Sequence, residues 1–250
     1  MSITFEFSTN VAREPRACGG RGAGRLLTGV FAIALLAGGQ GRGLTDLPLV
    51  EAKVSSPGRT MAIVMSGDGN WAGSVQAITK ALNRDGIPVV GIKSREYLTS
   101  GTRTPESVTR DVERILGFYL QAWQADTVLL IGYSRGADIL PFVVNRLPPG
   151  LRARVGVLAL VSPSLNASFE FHFADLFSNK PRPTDIPLAP EVARITDLRV
   201  MCMCGADDES ALCPRVDPAR ATVIVKPGGH HLDKDFDGIG AEILAVWRKK

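Results

Sequence analysis

An α/β fold, with a mostly parallel sheet and helices on both faces, is predicted by three features of the sequence. Short aliphatic runs alternate with amphipathic helical stretches along most of the chain. One run ends in Gly132-Tyr133-Ser134-Arg135-Gly136 and leads straight into a helical pattern. Acid and histidine candidates then follow that serine, each just past a later apolar run. In chain order, residues 61–65 read as a strand, 74–84 as a helix and 87–92 as the next strand. Thr104-Pro105-Glu106 opens a helix that runs to about residue 123, with Thr as N-cap, Pro at the first helical position and an acid in the first turn. Strands at 126–132, 155–161, 198–202 and 221–225 follow, with a helix at 137–147 after the first of them. No internal repeat is present.

The pentapeptide around Ser134 has the form Gly-x-Ser-x-Gly between a strand and a helix. That is the nucleophile elbow of an α/β-hydrolase, which puts the serine at the tip of a strained turn. A Cβ at either glycine would collide with neighbouring backbone, and the helix start aims N–H groups at an oxyanion beside the serine. A hydroxyl at neutral pH needs a histidine to take its proton and a carboxylate to orient that histidine. In this fold they follow in the order Ser, Asp or Glu, His. The acid belongs in Gly205-Ala206-Asp207-Asp208-Glu209, where Gly-x-x-Asp spacing favours Asp208 over Asp207. The base belongs after the last strand, at His230 or His231 behind the turn Pro227-Gly228-Gly229. His231, four past the Pro-Gly turn and followed by Leu232, is the favoured of the two; His172 is the only other histidine. One oxyanion donor is the backbone N–H of Arg135, and the other is that of Asp68 or Gly69 in the turn Ser66-Gly67-Asp68-Gly69-Asn70-Trp71. That turn lacks the Gly-Lys-Ser/Thr ending of a phosphate-binding loop. The Cys202-x-Cys204 pair could ligate a metal, but no histidine stands near it in sequence and no other His/Cys/Asp set at ligand spacing supports a metal; the chemistry requires no cofactor.

The chain has 250 residues, 45% of them apolar, enough for one sizeable core. The N-terminus differs in kind. Arg13, Arg16, Arg21 and Arg25 precede an almost entirely apolar run at 26–37, and small residues follow. Residues 1–43 therefore read as a secretory signal peptide, with an uncleaved inner-membrane anchor as the alternative, and 44–250 as the α/β-hydrolase domain of a periplasmic protein. Residues 45–250 hold 24 of the 29 basic and 23 of the 25 acidic residues. The basic pI thus belongs to the leader, and a nucleic-acid partner is not indicated. Export places Cys202, Cys204 and Cys213 in an oxidising space. A Cys202–Cys213 disulfide would pin the acid loop to its strand, with Cys204 as the competitor for Cys213. The stretch 162–190, with Phe169-Glu170-Phe171-His172-Phe173, is long for a connection and sits where such hydrolases insert a lid. It is too short for a cap domain, and its aromatics read as a strand, an interfacial patch, a pocket wall or a flap packed on the core.

Several motifs together resemble the VirJ/AcvB family of exported bacterial virulence-associated proteins. They are Ser66-Gly67-Asp68-Gly69 with Trp71, Arg103-Thr104-Pro105-Glu106, Gly132-Tyr133-Ser134 with Gly136-Ala137-Asp138, and Leu140-Pro141-Phe142 with Asn145-Arg146-Leu147-Pro148. Phe169-Glu170-Phe171-His172, Leu212-Cys213-Pro214 and Pro227-Gly228-Gly229-His230-His231 complete the set. The resemblance implies a serine hydrolase that cleaves the aminoacyl ester of lysyl-phosphatidylglycerol, with transient membrane-surface contact and association with secretion-system proteins. A cationic headgroup then needs an acid outside the triad, for which Asp138 and Glu170 are the candidates, with Trp71 and Tyr133 as further substrate contacts. Two positions depart from the family. Arg135 stands where an aromatic is usual and puts a cation beside the nucleophile, against a lysyl substrate; Asn70 stands where glycine is usual.

Overall fold

The computed structural model describes residues 43–171, 182–234 and 236–249. The leader expected at 1–43, apart from Gly43, lies outside the described residues, as does His172. Among the described residues no helix is long and apolar enough to cross a membrane. The strands, in chain order, are β1 (Leu49–Ala52), β2 (Thr60–Met65), β3 (Val89–Ile92), β4 (Thr127–Tyr133), β5 (Val155–Val161), β6 (Asn166–Ala167), β7 (Ile186–Pro187), β8 (Val200–Gly205) and β9 (Ala221–Lys226). Seven of them form one sheet in the order β1-β3-β2-β4-β5-β8-β9. Every pairing in it is parallel except the edge strand β1, which runs antiparallel to β3. The helices are α1 (Ser74–Arg84), α2 (Ser94–Thr99), α3 (Pro105–Ala122), α4 (Arg135–Val144), α5 (Pro149–Arg152), α6 (Leu188–Ala193) and α7 (Phe236–Arg248).

Alternation along the strands divides the interior into two layers. Met61, Ile63 and Met65 of β2 face a core completed by Val108, Val112 and Ile115 of α3 and Ile139, Leu140 and Val143 of α4. Ala62 and Val64, from the other side of the same strand, meet Val75, Ile78 and Leu82 of α1 and Ile239, Ile243 and Leu244 of α7. The sheet is covered on both faces, as a parallel sheet requires. Helix α3 starts at a full capping box: Thr104 Oγ1 accepts from the Ser107 N–H, and Ser107 Oγ accepts from the Thr104 N–H. Helix α4 starts two residues earlier than the sequence pattern indicates, because Ser134 O already accepts from the N–H groups of Ala137 and Asp138.

The described residues of the long connection after β5 form no separate cap. Strands β6 and β7 pair antiparallel within it over two residues each, and β6 lies against α4 and α6. Phe169 is buried, its ring edge-on to Phe142 at 5.3 Å, and Phe171 packs half-buried beside it. Of the readings open for these aromatics, the packed flap is the one the structure takes up to Phe171.

Candidate active site

Ser134 is held at φ 53° and ψ −121°, between β4 and α4. A side chain avoids this left-handed region unless the surroundings enforce it, and here the two flanking glycines let the strand and helix close in. A Cβ on Gly132 would stand 2.4 Å from Gly136 O, and one on Gly136 would stand 2.1 Å from Met65 O. Either would force the elbow open. The loop after β2 presses on the serine as well: a Cβ on Gly67 would come within 3.0 Å of Ser134 Cβ.

Ser134 Oγ lies 2.8 Å from His230 Nε2, and His230 Nδ1 lies 2.8 Å from Asp208 Oδ2. In the tautomer that donates Nδ1–H to Asp208, the Nε2 lone pair faces the serine hydroxyl. The Asp208 carboxylate is nearly enclosed. Burial pushes its pKa up, but the Ser210 hydroxyl and His230 outweigh that and hold it below the usual carboxylate range. Ser210 donates to Oδ1 from both its N–H (3.1 Å) and its hydroxyl (2.7 Å). Asp207 is exposed and engages by its backbone alone, donating to Gly228 O at 2.9 Å.

The histidine preference inferred from the sequence needs correction. His230 reaches the serine, whereas His231 is exposed and its Nδ1 shares a 3.0 Å hydrogen bond with Tyr133 Oη. Backbone geometry accounts for the choice. Gly228 adopts φ 87°, and the next turn runs left-handed through Leu232, Asp233 and Lys234. Leu232 is thereby drawn into the core. With 230 turned inward, its neighbour at 231 faces out. The acid and histidine turns are also zipped together: Ala206 N–H donates to Lys226 O, and a Cβ on Gly205 would stand 2.1 Å from Gly229 O. This close approach fixes the Asp208–His230 spacing. Ser162, buried at the end of β5 with φ 51°, donates its hydroxyl to His230 O at 2.8 Å. Sequence reasoning missed this residue; its only signal was a serine directly after a buried strand.

Arg135 follows Ser134, so its N–H belongs to the first turn of α4, where intrahelical acceptors are lacking. Its side chain is buried and does not offer a cation to the site. The guanidinium pairs with both oxygens of Asp68, at 2.7 and 2.8 Å. The expected conflict with a cationic substrate is therefore removed by a neighbour. Gly69 is exposed and an added Cβ there would meet nothing, while Asp68 is tied to the elbow; of the two donor candidates Asp68 is the one fixed beside Ser134. Asn70 holds φ 62°, a conformation in which glycine is cheapest and asparagine is tolerated, and it donates from Nδ2 to Glu96 Oε1.

Two further substrate-binding expectations need correction. Asp138 is 5% exposed, and its Oδ1 accepts from the Ser164 N–H at 2.6 Å, so it secures the loop after β5 rather than lining the mouth. The Trp71 ring lies flat on β3 at Gly91, where an added Cβ would be 2.2 Å away, and it joins the second core. Tyr133 is buried, with its phenol on His231 and its pKa raised by burial. Glu170 is exposed, and its carbonyl accepts from Arg135 Nη1 at 3.5 Å. Cys202 and Cys213 form a disulfide, and Cys204 is a buried free thiol.

Burial pushes the Asp138 carboxyl up to about 7, partly offset by Ser164 and Arg135. The folded chain therefore keeps a proton that the unfolded chain releases near 3.8. The stability this gives is complete below 3.8 and is lost as pH rises towards 7. Asp138→Asn keeps an acceptor for Ser164 without the charge. Its melting temperature should exceed the wild type's by several degrees at about pH 8, with the gap closing towards about pH 4. Thermal melts across that range check this, and a gap independent of pH would contradict it.

Solved structures similar to this chain share the fold at low identity. XC6422 from Xanthomonas campestris, described as an α/β serine hydrolase without lid, is 16% identical, with TM-score 0.54 over 80% of this chain and 87% of that one. Est1E from Butyrivibrio proteoclasticus is 12% identical, with TM-score 0.57 over 80% of this chain and 94% of that one. An α/β serine hydrolase homologue from Coxiella burnetii is 16% identical, with TM-score 0.55 over 79% and 89% of the respective chains. No curated protein matches the chain. The sequence model of the family described as bacterial virulence protein (VirJ) matches residues 59–250, which spans the sheet from β2 onward and all the residues gathered around Ser134, and the chain belongs to that family.

Proposed function

We propose that this chain is an exported serine hydrolase that cleaves the aminoacyl ester of lysyl-phosphatidylglycerol. The observation that carries the hydrolase reading is the continuous line Ser134 Oγ, His230, Asp208, with both links at 2.8 Å. In this reading Ser134 attacks the lysyl carbonyl while His230 Nε2 takes the hydroxyl proton. The N–H groups of Arg135 and Asp68 receive the oxyanion. His230 then protonates the departing glycerol oxygen, releasing phosphatidylglycerol and leaving lysine esterified to Ser134. A water that gives its proton to His230 hydrolyses this ester and frees lysine. One water is consumed per ester cleaved.

Family membership and the neutralised Arg135 support the lysyl substrate. With its charge taken up by Asp68, no repulsion from Arg135 faces the substrate ammonium groups. Exposed Glu170 is the acid on the flap beside the site. Export rests on the composition of the leader. The test compares turnover of lysyl-phosphatidylglycerol vesicles with that of p-nitrophenyl butyrate, each beside Ser134→Ala. Ser134-dependent preference for the lysyl lipid supports the substrate. Turnover of the simple ester alone would keep the hydrolase and discard the lipid.

A further inference from the structure

Asp68 and Arg135 are 67 positions apart, yet their side chains form a two-pronged ion pair across the site. The pair is largely shielded, with 9% of the Arg135 side chain and 19% of the Asp68 side chain exposed. Its members belong to the two segments that carry the oxyanion donors named above. Arg135 opens α4, and Asp68 lies in the loop after β2. That loop has a second anchor, since Arg95 Nε donates to Asp68 O at 2.7 Å. Arg135 also reaches a third segment, donating from Nη1 to Ser168 O at 3.3 Å and to Glu170 O at 3.5 Å.

Resting on the serine-hydrolase reading, we propose that the Asp68–Arg135 pair is a positioning clasp that fixes the two oxyanion donors relative to each other. An oxyanion hole works because its donors are already in place when charge develops. Here the donors come from separate segments, a helix start and a loop, and a displacement of about 1 Å at such a site can cost roughly a hundredfold in rate. A guanidinium–carboxylate fork fixes orientation as well as distance, which a single hydrogen bond does not. Replacing both members of a buried pair with neutral groups is often harmless to stability, whereas removing one leaves an unpaired charge. The contribution of this pair to catalysis is therefore separable from its contribution to folding.

The test uses the full chain with Asp68→Asn, Arg135→Met and the two combined. Turnover of p-nitrophenyl butyrate is measured beside the affinity for an alkylboronic acid, whose adduct on Ser134 places an oxygen in the oxyanion position. Each single variant is expected to lower kcat by about 10- to 100-fold, with KM within about twofold. Boronate affinity should fall by the same factor as kcat. The combined variant should recover the melting temperature lost by Arg135→Met and recover none of the kcat. Undiminished kcat and boronate affinity in Asp68→Asn would overturn the clasp alone, as would losses that vanish whenever the melting temperature is restored. A wild type with neither Ser134-dependent turnover nor boronate binding would overturn the hydrolase reading, and the clasp with it.

Discussion

Replacing His230 with alanine is expected to lower kcat by roughly 10⁴- to 10⁶-fold, whereas His231→Ala should cost less than about tenfold. The asymmetry follows from geometry. His230 alone touches both Ser134 Oγ and Asp208, so its loss removes the proton acceptor and strands the carboxylate. His231 touches Tyr133 Oη at the rim, where partial desolvation of its ring and the neighbouring His230 and Lys234 lower its pKa. Its loss frees one phenol and leaves the line to Ser134 intact. Steady-state kinetics on any ester the wild type accepts will separate the two. Equal losses, or a larger loss at His231, would mean that the histidine turn rearranges in solution.

The acid pair should divide just as sharply. Asp208→Asn is expected to reduce kcat by about 10⁴-fold, because an amide at Oδ2 no longer selects the tautomer that presents a bare Nε2 to the serine. Asp207→Asn should change kcat by less than about threefold, since the exposed Asp207 enters the site only through its N–H to Gly228 O, which asparagine keeps. The comparison is clean because the substitutions are chemically identical and adjacent. A large loss at Asp207 would place the orienting charge on the wrong carboxylate.

Much of the framework was legible in the sequence because local signals agreed with one another. Residues 74–84 carry helical periodicity and 155–161 an unbroken apolar run, and α1 and β5 have those bounds. The start of α3 was written in Thr104-Pro105. The glycines at 132 and 136 were readable because a Cβ has no room at such a corner, a constraint that belongs to the elbow itself. Helix α7 was not legible. Gly238 and Gly240 argue against a helix by propensity, yet a Cβ at Gly240 would come 2.3 Å from Ala81 Cβ, so the glycine serves a close crossing with α1.

The site was legible as a set of residue types and not as an assignment. The spacing after Pro227 favours His231, yet His230 is the one turned inward, and the turn that chooses between them depends on three non-glycine residues at positive φ, which no local preference announces. Asp138 looked available one turn after Ser134. All of α4 is buried, however, so no face of that helix is left for a substrate. Arg135 read as a free cation because its partner is 67 positions away. In each case the missing information was tertiary: which groups meet, and which are enclosed.

A covalent probe separates the two histidines at Ser134 itself. The full chain would be treated with a fluorophosphonate, which a serine adds to only when a base removes its proton, and the adduct mapped by peptide mass spectrometry. A single adduct on Ser134, lost in His230→Ala and retained in His231→Ala, is the predicted result. No adduct on Ser134, or one that persists without His230 and disappears without His231, would contradict it.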